Sequence, residues 1–138
     1  VKDQKDSIMA LVKRMYENPE IGNEEFESMA MLVEKLEKEG VHVRVIDMFT
    51  WKPLDEETIV KAAKECGCIV TAENHLVSCG LGSAVANVLT RKCPVPQEFI
   101  GIQDRFGQTA LQEVLEKEYE MTSDDIVAAV KKAMKRKG

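Results

Sequence analysis

The chain has 138 residues, 44% hydrophobic and 31% charged, which is enough for one ordinary domain and too short for a two-domain enzyme with a large cofactor cleft. Its 19 Lys and Arg against 24 Asp and Glu leave a formal charge of -5, which removes the global basic field that attracts nucleic acid or anionic membrane. No run of about 18 apolar residues is present. The opening Val1-Lys2-Asp3-Gln4-Lys5-Asp6 is too polar for the core of a signal peptide, so a cytoplasmic protein is expected.

The first predicted element is a helix: Ile8, Leu11, Val12, Met15 and Tyr16 recur at helical spacing, and Asn18-Pro19 ends the run. A second helix starts after Gly22, where Asn23-Glu24-Glu25 offers a cap and acids for the positive end of the dipole. Phe26, Met29, Ala30, Val33 and Leu36 make its apolar stripe, and Gly40 stops it. Residues 1–40 thus read as a helical hairpin with acidic, solvated outer faces.

The period then changes. Val41, Val43 and Val45 alternate with His42 and Arg44, and Ile46 and Met48 extend a strand. Asp55 caps a helix to about Glu65, which Gly67 ends. Cys68–Glu73 is a second strand, Gly80–Arg91 a helix and Glu98–Gln103 a third strand, so successive strands should be parallel. Helices at Thr109–Glu118 and Ser123–Arg136 follow, the last capped from Thr122-Ser123-Asp124-Asp125. The expected class is α/β: a short parallel sheet of about three strands in an α/β/α sandwich, residues 41–138, preceded by the helical hairpin and forming one compact domain with it. Repeats and low-complexity linkers are absent from the sequence.

No catalytic, cofactor-binding or metal-binding residue is assigned from these motifs. Cys66, Cys68, Cys79 and Cys93 lack the paired spacing of a zinc site, and a Cys entering an apolar strand is a small buried hydrophobe. His42 lies on a strand. His75 follows Glu73-Asn74 where a strand ends, the place at which open α/β sheets bind ligands, and Glu73 is its nearest base. A loop histidine bonded to backbone is the competing reading. Gly80-Leu81-Gly82-Ser83 opens a helix after a strand, as a phosphate-holding turn does, but lacks the rest of a dinucleotide or P-loop motif. As a phosphate site this is a weak signal, and close packing of helix on sheet is the favoured explanation of those glycines. The basic end, Lys131, Lys132, Lys135, Arg136 and Lys137, is read as complementing the negative end of a helix dipole and keeping a terminus soluble, in preference to a nucleic-acid patch.

Four motifs carry a family resemblance: Val43-Arg44-Val45-Ile46-Asp47-Met48-Phe49-Thr50 with Lys52-Pro53-Leu54-Asp55, then Ile69-Val70-Thr71-Ala72-Glu73-Asn74-His75, Gly80-Leu81-Gly82-Ser83-Ala84-Val85-Ala86, and Asp104-Arg105-Phe106-Gly107. In this order and spacing the chain from about residue 41 to its end resembles the C-terminal domain of transketolase. Tyr119-Glu120-Met121-Thr122 with Asp124-Asp125-Ile126-Val127 resembles that family's closing helix. The resemblance implies that thiamine diphosphate and magnesium are held between two other domains, so no catalytic or cofactor residue carries over to this chain and no cofactor is expected in it. Asn18-Pro19-Glu20-Ile21-Gly22-Asn23-Glu24-Glu25-Phe26-Glu27, continuing through Leu32-Val33-Glu34-Lys35-Leu36, resembles the N-terminal helices of zinc amidohydrolases of the aminoacylase and aminobenzoyl-glutamate hydrolase type, about residues 1–45. A helix then stands where a transketolase domain begins with a strand.

The expectation from these two resemblances is a non-catalytic chimeric scaffold, recombined or engineered, joined in the helix and strand around residues 28–45. The alternative is a non-catalytic C-terminal-domain subunit of a split thiamine-diphosphate-dependent transketolase, whose partner is the cofactor-binding subunit. A small hydrolase using Glu73 and His75 ranks third. The short sheet leaves an edge open, and transketolase-like enzymes are dimers, so a homodimer is the other expected partnership; no nucleic acid and no membrane is expected. Trp51, after the first predicted strand, is either a contact residue or a lid over the core edge.

Overall fold

The computed structural model describes residues 7–13, 30 and 32–137. Ser7–Lys13 form strand β1, His42–Asp47 β2, Ile69–Leu76 β3 and Gln97–Ile102 β4. Residues 32–38 are helical (α1), and Glu56–Cys66 (α2), Leu81–Lys92 (α3), Gln112–Glu118 (α4) and Ser123–Arg136 (α5) complete the set. The four strands are all parallel in the order β2-β1-β3-β4.

The predicted first helix is corrected by β1. Ile8, Leu11 and Val12 do fit a helical stripe, but Met9 and Ala10 fill its gap, so Ile8–Val12 is an unbroken apolar run. Such a run suits a strand inside a parallel sheet, and periodicity alone does not separate the two. Tertiary pairing decides: Ala10 lies opposite Val45 on one side and Val70 on the other. Among the described residues the sheet therefore has four strands rather than about three, and the opening strand expected of a transketolase domain is present. The hairpin reading over residues 1–6, 14–29 and 31 lies outside the described residues. Beyond residue 41 every predicted strand and helix is found.

Helices cover both faces. On one, Ile59, Ala62 and Cys66 of α2 and Leu81, Val85 and Val88 of α3 bury against Ile69 and Met48. On the other, Leu32 and Leu36 of α1 and Val127, Val130 and Ala133 of α5 bury against Val70 and Val41. Adjacent residues of β3 thus point into opposite cores, which is why its sequence reads as a continuous apolar run. The ends are set locally. Thr58 N–H donates to the Asp55 carboxylate at 3.0 Å, and Gly67 ends α2 with φ +73°, a conformation costly for any residue with a Cβ. A reciprocal capping box joins Thr122 and Asp125 at the start of α5. Among the described residues no helix is long and apolar enough to cross a membrane.

Glu98 ties β4 to α5. It is buried, with Arg136 Nη1 at 2.6 Å and Lys132 Nζ at 2.8 Å. Burial pushes its pKa up, but hydrogen bonds and charge from Lys132 and Arg136 outweigh that and hold it below the ordinary value. A carboxyl with a depressed folded pKa adds stability that is full above its unfolded pKa and lost as pH falls through the folded one. Melting curves from neutral pH downwards should therefore show wild type losing its advantage over Glu98→Gln as pH falls below about 4.5. A pH-independent gap between the two would contradict this.

Candidate functional site

In an open parallel sheet the ligand crevice lies beyond the carboxyl ends of strands whose connections leave in opposite directions. Here those strands are β1, which connects to β2, and β3, which connects to β4 on the other side. Glu73 and His75 both belong to this end of β3.

Glu73 is only 3% exposed, and its two carboxylate oxygens accept the Leu81 N–H at 2.6 Å and the Gly82 N–H at 2.7 Å. These are orphan donors in the first turn of α3, so the positive end of that helix is met by the chain's own anion. A Cβ on Gly80 would overlap the Glu73 carboxylate and come within 2.5 Å of the Leu76 carbonyl oxygen. One on Gly82 would lie 2.6 Å from Phe99 Cδ1 and 3.0 Å from Thr71 Oγ1. Both glycines therefore exist for close approach of helix to sheet. The Ser83 hydroxyl donates to the Val77 carbonyl at 2.6 Å and accepts from the Cys79 N–H at 3.1 Å, closing the turn on itself.

His75 is half-buried, and its Nδ1 lies 3.0 Å from the Leu76 carbonyl oxygen. Both Glu73 oxygens serve α3 instead of the imidazole, so the acid-base pairing of Glu73 with His75 has no geometric support. Cys66 and Cys68 are buried, Cys93 is half-buried and Cys79 is exposed, and none of the four is in a disulfide. Among the described residues no three His, Cys, Asp or Glu side chains gather where a metal ion would sit. The basic end of α5 is engaged with acids: Lys131 pairs with Glu39 at 2.5 Å, and Lys132 and Arg136 share Glu98. Sequence reading missed Gln97, which is buried and donates from Nε2 to the Gly82 carbonyl at 3.0 Å and to Thr71 Oγ1 at 3.2 Å. Its polar character on an edge strand is the one signal that marked it.

What the carboxyl end offers outward is apolar. Phe49 (84% exposed) and Trp51 follow β2, Leu76 ends β3, and Phe106 (98% exposed), Leu111 (79% exposed) and Val114 follow β4. These are all the exposed large hydrophobic side chains among the described residues: Leu76 is the last residue of β3, and the other five lie in the segments that leave the carboxyl ends of β2 and β4. The loop that holds Phe106 is tied from behind. Arg105 donates to the Glu118 carbonyl at 2.8 Å, pairs with the Glu118 carboxylate and lies 5.2 Å over the Tyr119 ring, while the Tyr119 hydroxyl donates to the Phe106 carbonyl at 3.0 Å. Ser78 reaches Asp104 at 3.3 Å, linking the β3 and β4 ends. Solvent exposure of several large apolar groups at one end of a fold marks an association surface.

Among the described residues the chain is thus a parallel α/β sheet covered by helices on both faces, with the start of α3 capped by its own Glu73. The family model for the transketolase C-terminal domain matches residues 22–126, and the chain belongs to that family. It is 38% identical over 107 residues to the 6-deoxy-6-sulfo-D-fructose transketolase subunit SqwH of Clostridium sp. (strain MSTE9), covering 78% of this chain and 33% of that protein. It is 35% identical over 104 residues to a putative transketolase C-terminal section of Methanocaldococcus jannaschii, covering 75% of this chain and 32% of that one. A solved split-gene transketolase, described as an inactive beta4 tetramer, superposes with a TM-score of 0.81 at 36% identity, covering 97% of this chain and 41% of that chain. The chain thus spans about a third of the length of these curated relatives. The family match starts at residue 22, inside the segment read as amidohydrolase-like, and no comparison supports an amidohydrolase segment or a chimera.

Proposed function

We propose that the chain acts as the C-terminal domain of a transketolase-type thiamine diphosphate enzyme, without catalysis of its own, and docks through the carboxyl end of its sheet onto the domains or subunit that hold the cofactor. The observation that carries this reading is that Phe49, Trp51, Leu76, Phe106, Leu111 and Val114, the exposed large apolar side chains among the described residues, all stand at or after the carboxyl ends of β2, β3 and β4 in a chain of the transketolase C-terminal family. The described residues do not fit thiamine diphosphate with its metal: the start of α3 is filled by Glu73, the start of α2 carries Asp55, Glu56 and Glu57, and no acidic ligand set is brought together. The cytoplasmic location expected from the sequence accompanies this reading.

The test is assembly. A transketolase fragment that keeps both cofactor-binding domains but lacks its own C-terminal domain is mixed with this chain and followed by sedimentation. A stoichiometric complex is expected; two species that sediment independently at every concentration would contradict the proposal.

A further inference from the structure

The outer edge of β4 is separate from the carboxyl-end surface, and its geometry supports an inference independent of the reading above. Ile69 N–H donates to the Pro96 carbonyl, and Ile69 lies opposite Gln97, so in this parallel ladder the backbone groups of Glu98 and Ile100 turn toward β3. Those of Gln97 and Phe99 turn out of the sheet. Arg136 confirms the direction by donating to the Gln97 carbonyl at 2.9 Å from outside. No described residue outside the ladder pairs with the outward N–H and C=O of Phe99.

Two clefts flank this edge. On the α5 side one of about 240 Å³ is lined by Glu98, Phe99, Ile100, Gly101, Tyr119 and Lys132, so it follows the strand itself. On the α3 side one of about 290 Å³ is lined by Pro94, Gln97, Phe99 and Arg136 among others. An added strand sends alternate side chains to opposite faces, and an edge flanked by a cleft on each face suits it. The opposite edge, β2, is different: it exposes His42, Arg44 and Asp47, with Arg44 paired to Glu65, and charges of this kind deter pairing.

We propose that β4 pairs with β4 of a second copy, antiparallel about a two-fold axis at Phe99, and that Arg136 restrains this pairing by occupying the Gln97 carbonyl. In that register Phe99 exchanges both outward hydrogen bonds with the other copy's Phe99, and their rings share the α3 face. Gly101, without a side chain, stands opposite the other copy's Gln97. The charges allow a second copy: a strip of one sign repels itself across a two-fold axis, whereas this one combines Glu98 with Lys132 and Arg136.

The test is light scattering over a concentration series with hydrogen exchange at the Phe99 amide. Mass is expected to rise toward a dimer while that amide becomes protected. Arg136→Ala, which frees the carbonyl for the Gly101 N–H of the other copy, should tighten association about tenfold, a gain that loss of a merely structural ion pair would not give. Phe99→Pro removes the outward N–H without touching the β3 ladder and should abolish the dimer. Phe99→Ala, which keeps the N–H, should retain it at reduced affinity, and circular dichroism checks that each variant is folded. A monomer at all concentrations in Arg136→Ala, a dimer that survives Phe99→Pro, or protection that appears only when a different protein is added would each overturn the proposal.

Discussion

Glu73→Ala is expected to be the most destabilising polar substitution in the described fold, costing roughly 3 kcal/mol, because hydrogen bonds to a charged group contribute about 1.5 to 3 kcal/mol each and two are lost. The carboxylate accepts two first-turn N–H groups of α3 from a position 3% exposed to solvent, so the alanine variant leaves both donors in a pocket built to exclude water. Glu73→Gln keeps one acceptor but turns an amide N–H₂ toward a donor, so it should recover only part of the loss. Urea unfolding of the three proteins measures this. A loss under about 0.5 kcal/mol for Glu73→Ala, the range of ordinary surface changes, would mean that the contact is incidental.

The largest functional effect is expected from Phe106→Asp combined with Leu111→Asp. Both residues stand almost fully in solvent, so neither supports the core and stability should change by no more than about 0.5 kcal/mol. If the carboxyl end is the docking surface, two carboxylates in place of apolar groups put desolvated, unpaired charge in the contact. Affinity for the cofactor-binding fragment should fall by about a hundredfold or more, the scale of a lost central anchor. Titration calorimetry with wild type and variant gives the ratio. Equal affinities would move the contact elsewhere, and the β4 edge would then be the next surface to test. The two faces separate cleanly, because Phe99→Pro should leave this affinity unchanged.

Much of the fold was legible from residue chemistry. Asp55, Gly67, and Thr122 with Asp125 do at the helix ends what their side chains and dihedrals favour, and the valine alternation over residues 41–45 marks β2. The central strand was not legible. The run Ile8–Val12 satisfies both helical spacing and a continuous apolar strand, and only its pairing with β2 and β3 resolves the two. That misreading made the opening strand seem lost and encouraged the reading of two joined fragments. Gly80 and Gly82 were legible as packing glycines, but not what they pack on: Glu73 lies eight residues before Leu81 and meets it only once β3 and α3 are in place. An acid at a strand end followed by Gly-x-Gly at a helix start is the local signal that foretells such a cap. The carboxyl-end surface was seen only through Trp51, since an isolated Phe49, Phe106 or Leu111 in sequence does not disclose that all three emerge at one end.

Ketol transfer between phosphorylated sugars, assayed with this chain alone, with the cofactor-binding transketolase fragment alone and with their mixture, tests the central claim most directly. The account predicts no turnover by the chain, little by the fragment, and a gain in the mixture that the Phe106→Asp, Leu111→Asp variant fails to produce. Turnover by the chain alone with added thiamine diphosphate and magnesium, or a gain undiminished in that variant, would contradict it.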